Sequence, residues 1–254
     1  MLASAAVIRR ILWFATAYTI VIIVHELAHA VTAASFGLEV TLFHFWANVD
    51  TTNQATLAQR AAYGLAGPVS SLLLGLAAWL VYRRVPSRSA AAMPLLWLAA
   101  CGVSNFFGNM MSTPFLGDFS NVANWSNLPM AVRYALGVTG AVVVAAVLFT
   151  AGRQLARWAS PQSTRAAAVF ETVVAPVLAG TAIVIAINQP VAIPGFAMAR
   201  LGESAFWVFG AAGAFLALRS TTRDVPGAQL RWQDGAIALL VLVIVRVMAL
   251  GIPM

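Results

Sequence analysis

Residues 11–36 read ILWFATAYTIVIIVHELAHAVTAASF, an apolar run interrupted in its second half by His25-Glu26-Leu27-Ala28-His29. A helix needs about 20 predominantly apolar residues to cross a bilayer core, so the run is long enough to span. The two preceding arginines, the apolar stretch and Ala28-His29-Ala30 also have the outline of a secretory signal. The stretch exceeds the short core of such a signal, however, and carries charge in its middle. It is expected to stay as a membrane helix. Ionisable side chains at membrane depth are costly and by default mark function, and here three fall within five residues.

Their spacing specifies the chemistry. Positions four apart on an α-helix differ by about 40° around the axis and about 6 Å along it, so His25 and His29 converge on one point from a single helix face. Two imidazoles so placed can hold one metal ion, expected to be a single Zn2+ per chain. A glutamate beside the first histidine can hold the attacking water and take its proton. Glu26 is therefore the candidate general base. A catalytic zinc site usually has three protein ligands, and the candidates for the third are Glu39, His44, Asp50, Asp118, Glu171 and Glu203. His29 lies eight residues before Gly37, so the site is closer to that end of the helix than to Arg10. Asp118, in Pro114-Phe115-Leu116-Gly117-Asp118 after the third apolar run, approaches from that side and is the first choice. His44 and Asp50, in and after a segment of partial strand alternation from Val40 to Val49, are the alternatives. Glu171 belongs to the opposite side, as an interfacial charge or a partner for Arg165.

Outward from this helix, further apolar runs lie near 61–82, 92–113, 131–152, 166–188, 201–218 and 235–252. Together they predict an all-α polytopic membrane protein of six to seven transmembrane helices, with a short β segment between the first two. Only 9% of the 254 residues are charged and 61% are hydrophobic, against about 25% charged in a soluble domain. A water-soluble globule is excluded. The net charge of +7 comes from 15 arginines and no lysine, spread between apolar runs rather than gathered in a patch, so nucleic acid is not the expected partner. Eleven of them follow or precede the runs on one side: Arg9, Arg10, Arg83, Arg84, Arg88, Arg153, Arg157, Arg165, Arg219, Arg223 and Arg231. By the positive-inside rule this predicts a cytoplasmic N-terminus and an external C-terminus in a bacterial inner membrane. Pro176 and Gly67-Pro68 should bend their helices. The small residues Gly64, Gly67, Ser70, Ser71 and Gly75 should pack the second helix closely on the first. Asn105 and Asn109 share a helix face with Cys101, the one cysteine, which reads as a buried small hydrophobe.

His25-Glu26-Leu27-Ala28-His29 on a first membrane helix, Gly67-Pro68 in the second and an Asn/Pro/Asp segment ending the third resemble the site-2 protease family of intramembrane zinc metalloproteases. The resemblance covers about residues 10–125. It implies a three-helix catalytic core within residues 1–130, with residues 131–254 forming accessory membrane helices. It further implies zinc held by His25, His29 and Asp118, with Glu26 as general base and Asn109 as the catalytic asparagine that orients substrate or stabilises developing charge. The implied partner is a transmembrane protein substrate, cut within or near its own span in the lipid bilayer. The chain departs from the family pattern in three places. Asn109 to Asp118 is one residue longer than usual, Gly117 precedes the aspartate instead of following it, and Ser71 stands where asparagine is common. The Val40–Val49 segment offers strand edges that can receive an extended substrate.

Overall fold

The computed structural model describes residues 5–49, 55–87, 89–187, 196–219 and 232–254. It is mostly helical, 77%, with one small sheet. The chain opens with α1 (Ala5–Ser35), a 31-residue helix apolar on all sides. Such a helix belongs in the middle of a bundle, and α1 packs against α2 (Leu57–Tyr82), α3 (Ala92–Met111), α7 (Ala175–Ile187) and α10 (Trp232–Met248). Between α3 and α7 run the short α4 (Asp118–Trp125), the long α5 (Met130–Leu155) and the short α6 (Arg165–Val169). A π-helical turn, Phe170–Val174, joins α6 to α7 just ahead of Pro176. Pro176 supplies no N–H to the preceding turn, and the widened turn accommodates it. The remaining helices are α8 (Phe196–Ala205) and α9 (Val208–Ala217).

Among the described residues, four helical segments are long and apolar enough to cross a membrane: Ala5–Ser35, Leu57–Tyr82, Met130–Trp158 and Arg165–Ile187. The expected six to seven spans are thus reduced to four by length and composition. The third apolar run does form a 20-residue helix, α3, but Ser104, Asn105, Gly108 and Asn109 dilute its apolar character. The sixth run is broken into α8 and α9 at Phe206-Trp207, where the Trp207 ring packs 5.9 Å from Phe14 and 5.2 Å from Trp97. The seventh is α10, with 17 helical residues including Asp234 and Arg246.

The expected β segment is a hairpin, β1 (Val40–Leu42) against β2 (Ala47–Val49), with Val40 opposite Val49. The sequence reading did not anticipate its third strand. The C-terminal β3 (Ile252–Pro253) pairs with the other edge of β1, and the Met254 N–H donates to the Val40 carbonyl at 2.9 Å. The sheet order is β2-β1-β3, which leaves β2 as the edge nearest the site described below.

The two ends of the bundle are chemically distinct. At the start of α1, Arg9 is buried and pairs with Asp234 at 3.0 Å, while its guanidinium also donates to the Ala90 carbonyl at 3.3 Å. Trp13 donates to the same Asp234 carboxylate at 2.8 Å. Arg10 donates to the carbonyls of Trp158 and Glu171. The starts of α1, α3 and α10, the end of α5 and the π-helical turn therefore share one end, together with Arg83, Arg84, Arg153, Arg157 and Arg165. The hairpin, β3, α4 and the start of α2 share the other. Arg88, Arg223 and Arg231 lie outside the described residues. Glu171 is at the arginine end, where the Ser163 hydroxyl donates to it at 3.2 Å. Arg165 sits over the Phe215 ring, 5.4 Å from its centroid.

Candidate metal centre

α1 places His25 and His29 one turn apart, both buried, in the third of the helix nearest the hairpin. Their Nε2 atoms lie 3.0 Å apart. Asp118 closes the triangle: its Oδ2 is 3.0 Å from His25 Nε2 and its Oδ1 is 3.5 Å from His29 Nε2. These three residues form a group that can hold a metal ion. Zinc–nitrogen and zinc–oxygen bonds of about 2.0–2.2 Å at tetrahedral angles place ligand atoms about 3.4 Å from one another. The observed edges are close to that length.

The second nitrogen of each ring fixes where its lone pair points. His29 Nδ1 lies 2.6 Å from the Tyr63 carbonyl oxygen, which only accepts, so this nitrogen carries the proton. Ser71 donates its hydroxyl to the Gly67 carbonyl at 3.1 Å and so accepts from His25 Nδ1 at 3.2 Å. In the neutral rings both Nε2 atoms then present lone pairs to the same point, beside a carboxylate. That arrangement is repulsive with nothing between, and a cation makes it attractive. Orientation of ligating histidines through the opposite ring nitrogen is a regular property of metal sites. The donor set, its spacing and its protonation all fit zinc.

α2 is shaped for this role. It opens with a capping box, Thr56 accepting from the Gln59 N–H while the Gln59 side chain accepts from the Thr56 N–H. Pro68 removes one N–H from the ladder and crowds the preceding turn, next to the Tyr63 carbonyl that receives His29. At Gly67 the α2 backbone meets the imidazoles directly. A Cβ there would collide with His29 Nε2 and lie 2.7 Å from His25 Cδ2. Only glycine allows the approach. Gly117 has φ +91°, in the region that favours glycine, and turns the chain so that α4 begins with Asp118 in its first turn. Anionic side chains are favoured at that helix end.

Glu26, half-buried, is not one of the three grouped residues. It lines two spaces that flank them. One, of about 420 Å³, also has His25, Asn109, Asp118 and Glu203 on its walls. The other, of about 400 Å³, runs past His29 and Asp118 to Ala47, Asn48 and Val49 of the edge strand β2. The site is thus open on one side to a strand edge and on the other to a pocket.

The remaining expected residues fall as follows. Asn109 is on the pocket wall beside Gly117, and its amide donates to the Asn105 carbonyl at 3.1 Å. His44 is buried in the hairpin against Phe45, ring centroids 4.4 Å apart, and does not join the ligand group. Asp50 lies outside the described residues, and Glu39 is exposed. Ser71 and Gly67, whose own side of the helix was read from sequence as a packing face, touch the two histidines. Their signal was Gly67-Pro68 followed four residues later by a hydroxyl on the same helix face. Cys101 is buried, as expected. No protein-family model matches the chain, and neither does any curated protein or solved structure compared with it.

Proposed function

We propose that this protein is a zinc-dependent intramembrane endopeptidase that cuts peptide bonds within or near the spans of membrane proteins. The observation that carries this reading is the His25–His29–Asp118 triangle with Glu26 at its side, set among long apolar helices. Zinc held by those three side chains supplies the Lewis acidity that makes water nucleophilic near neutral pH and polarises a carbonyl. Glu26 takes the proton of the attacking water and returns it to the leaving amine nitrogen. Asn109, on the wall of the same pocket, orients the substrate. The edge of β2 supplies backbone partners that hold a stretch of substrate extended, since a helix hides its own carbonyls. Retention of Glu26 favours this reading over a scaffold or sensor, which would need only the metal ligands.

The test is a reconstituted assay with a single-span substrate and a matched variant whose span is all leucine. Unwinding within lipid leaves backbone groups unpaired and costly, so helix-breaking Gly, Pro or Asn in the span should promote cleavage. Equal cutting of both spans would refute the unwinding requirement. Ready cleavage of soluble casein with neither span cut would reject the substrate class.

We infer the number of crossings from the pairing of β3 with β1, and the orientation from the arginines. Val40 lies just beyond α1 and Ile252 just beyond α10, so the chain between them crosses an even number of times. Crossing by α2, α5 and Arg165–Ile187 alone gives an odd number. The reading therefore adds α3, the α8–α9 pair and α10, for seven crossings with the arginine end cytoplasmic. Reporter fusions at Ser87 and at Gln54 should give opposite answers, and one at the C-terminus should agree with Gln54. A cytoplasmic result at Gln54 would overturn this orientation.

A further inference from the structure

A third space, of about 300 Å³, lies away from the metal centre. α3 packs between α2 and α5 and forms its floor, where Ala99 and Ala100 are buried. Leu76 and Trp79 of α2 make one wall, and Ala146 and Thr150 of α5 make the other. Leu76, Ala146 and Thr150 are exposed, so the space is a groove open outward between two helices. It is apolar in character, since the Thr150 hydroxyl is already committed to the Ala146 carbonyl at 2.8 Å. Along α3 the lining runs from Leu96 to Val103, about 10 Å of helix.

The groove leads to the arginine end. There the Tyr82 hydroxyl donates to Gln154 Oε1 at 3.4 Å, joining the ends of α2 and α5. Arg83, still helical in its backbone, lies four residues beyond Trp79 and seven beyond Leu76, which puts all three on one face of α2. On α5, Arg153 continues the face of Ala146 and Thr150 in the same way, seven and three residues on. Both walls therefore run on into a guanidinium, with Arg84 and Arg157 following in the chain. All four arginines are exposed, and among the described residues none is paired with an acid. Of the chain's eight acids, only Asp50 and Asp224 lie outside the described residues, too few to neutralise four positive charges.

We propose that this groove binds an anionic phospholipid, with one acyl chain lying along α3 between α2 and α5 and the phosphate among Arg83, Arg84, Arg153 and Arg157. The inference rests on the membrane reading, α2 and α5 being two of the helices long and apolar enough to cross, and is independent of the proteolytic one. Within a bilayer the groove alone selects nothing, because lipid tails are as apolar as the side chains that line it. It holds a chain of whichever lipid is at hand. Selection comes from the arginines. Guanidinium groups pair with phosphate oxygens through two parallel hydrogen bonds, and basic pockets between membrane helices suit anionic head groups. A zwitterionic lipid brings its own ammonium, which opposes the arginines. Chain and head group are thus recognised at the two ends of one continuous surface.

The experiment places the full-length protein in vesicles of phosphatidylglycerol and phosphatidylcholine in equal parts, extracts it in mild detergent, and counts the lipid retained per chain by mass spectrometry. Phosphatidylglycerol should be retained in preference to phosphatidylcholine by about tenfold or more, the scale of two arginines beside an anionic group. Arg83→Gln combined with Arg153→Gln should lower that preference by about fivefold or more. Arg165→Gln removes a charge from the same end of the bundle, but one that sits over Phe215 instead, and should leave the preference unchanged. Ala146→Phe fills the groove from its exposed wall with every arginine in place, and should lose the retained lipid. Val138→Phe, two turns away on the exposed surface of the same helix, should keep it. A preference that survives in the double arginine variant, retention unchanged in Ala146→Phe, or a preference lost equally in Arg165→Gln would each overturn the site. Displacement of the lipid by millimolar inorganic phosphate would reduce it to an anion site without a chain, and a retained protein chain in place of lipid would reject the lipid.

Discussion

Glu26→Gln should keep its zinc and lose turnover by about 10²–10⁴-fold, the usual contribution of a general base. The two halves of this expectation come from different observations. Glu26 is adjacent to His25 in sequence but points about 100° away around the helix, and it is not one of the residues whose ligand atoms converge. Removing its charge therefore leaves the three ligands in place. It does line both spaces that flank the ligands, where an attacking water and a leaving amine have to be. Glutamine has the same shape and cannot take the proton. Zinc content and single-turnover cleavage, measured on one preparation, check both halves. Activity near wild type would remove Glu26 from the chemistry, and loss of zinc would make it a ligand.

Gly67→Ala should weaken zinc binding on the order of 100-fold or more. Changes to groups that merely orient ligands cost about 10–100-fold, and here the new methyl group falls on the ligating atoms themselves. It would collide with His29 Nε2 and approach His25 and His29 Cδ2 to 2.7 Å. The helix itself gains from the exchange, since alanine is favoured over glycine in a helix interior by about 1 kcal/mol. Loss of metal with the helical signal intact therefore locates the defect at the site. Gly235→Ala, where a Cβ meets nothing within 4 Å, is the matched control and should bind zinc as the wild type does. Full zinc affinity in Gly67→Ala would mean that α2 does not approach the histidines as described.

The candidate metal centre was largely legible in the sequence because helical geometry brings His25 and His29 together. A pair of histidines four apart on a helix face each other whatever surrounds them, and Asp118 was the acid whose place in the chain brought it to the right end. A β segment was legible from the partial alternation at Val40–Val49, though not its division into two paired strands, and the arginine end from the positions of charge between apolar runs. Contacts between distant elements left no such mark. Nothing local announces that Ile252 and Pro253 will pair with β1, because strand pairing across the whole chain depends on where α10 ends. Ser71 read as a packing residue because it is one of a run of small residues at close-packing spacing on the second helix, and its bond to His25 depends on how α2 crosses α1. The number of long apolar helices was overestimated for a related reason. The polar residues of α3 and the break between α8 and α9 are what line the pocket beside the metal centre, and a hydropathy window averages over them.

The proposed chemistry depends on the metal, and the zinc content of the purified protein, of His25→Ala and of Asp118→Asn decides whether the site holds one. The wild type should carry one zinc per chain, His25→Ala should carry almost none, and Asp118→Asn should bind it more weakly. Full occupancy in His25→Ala would mean that the metal is not held by this group.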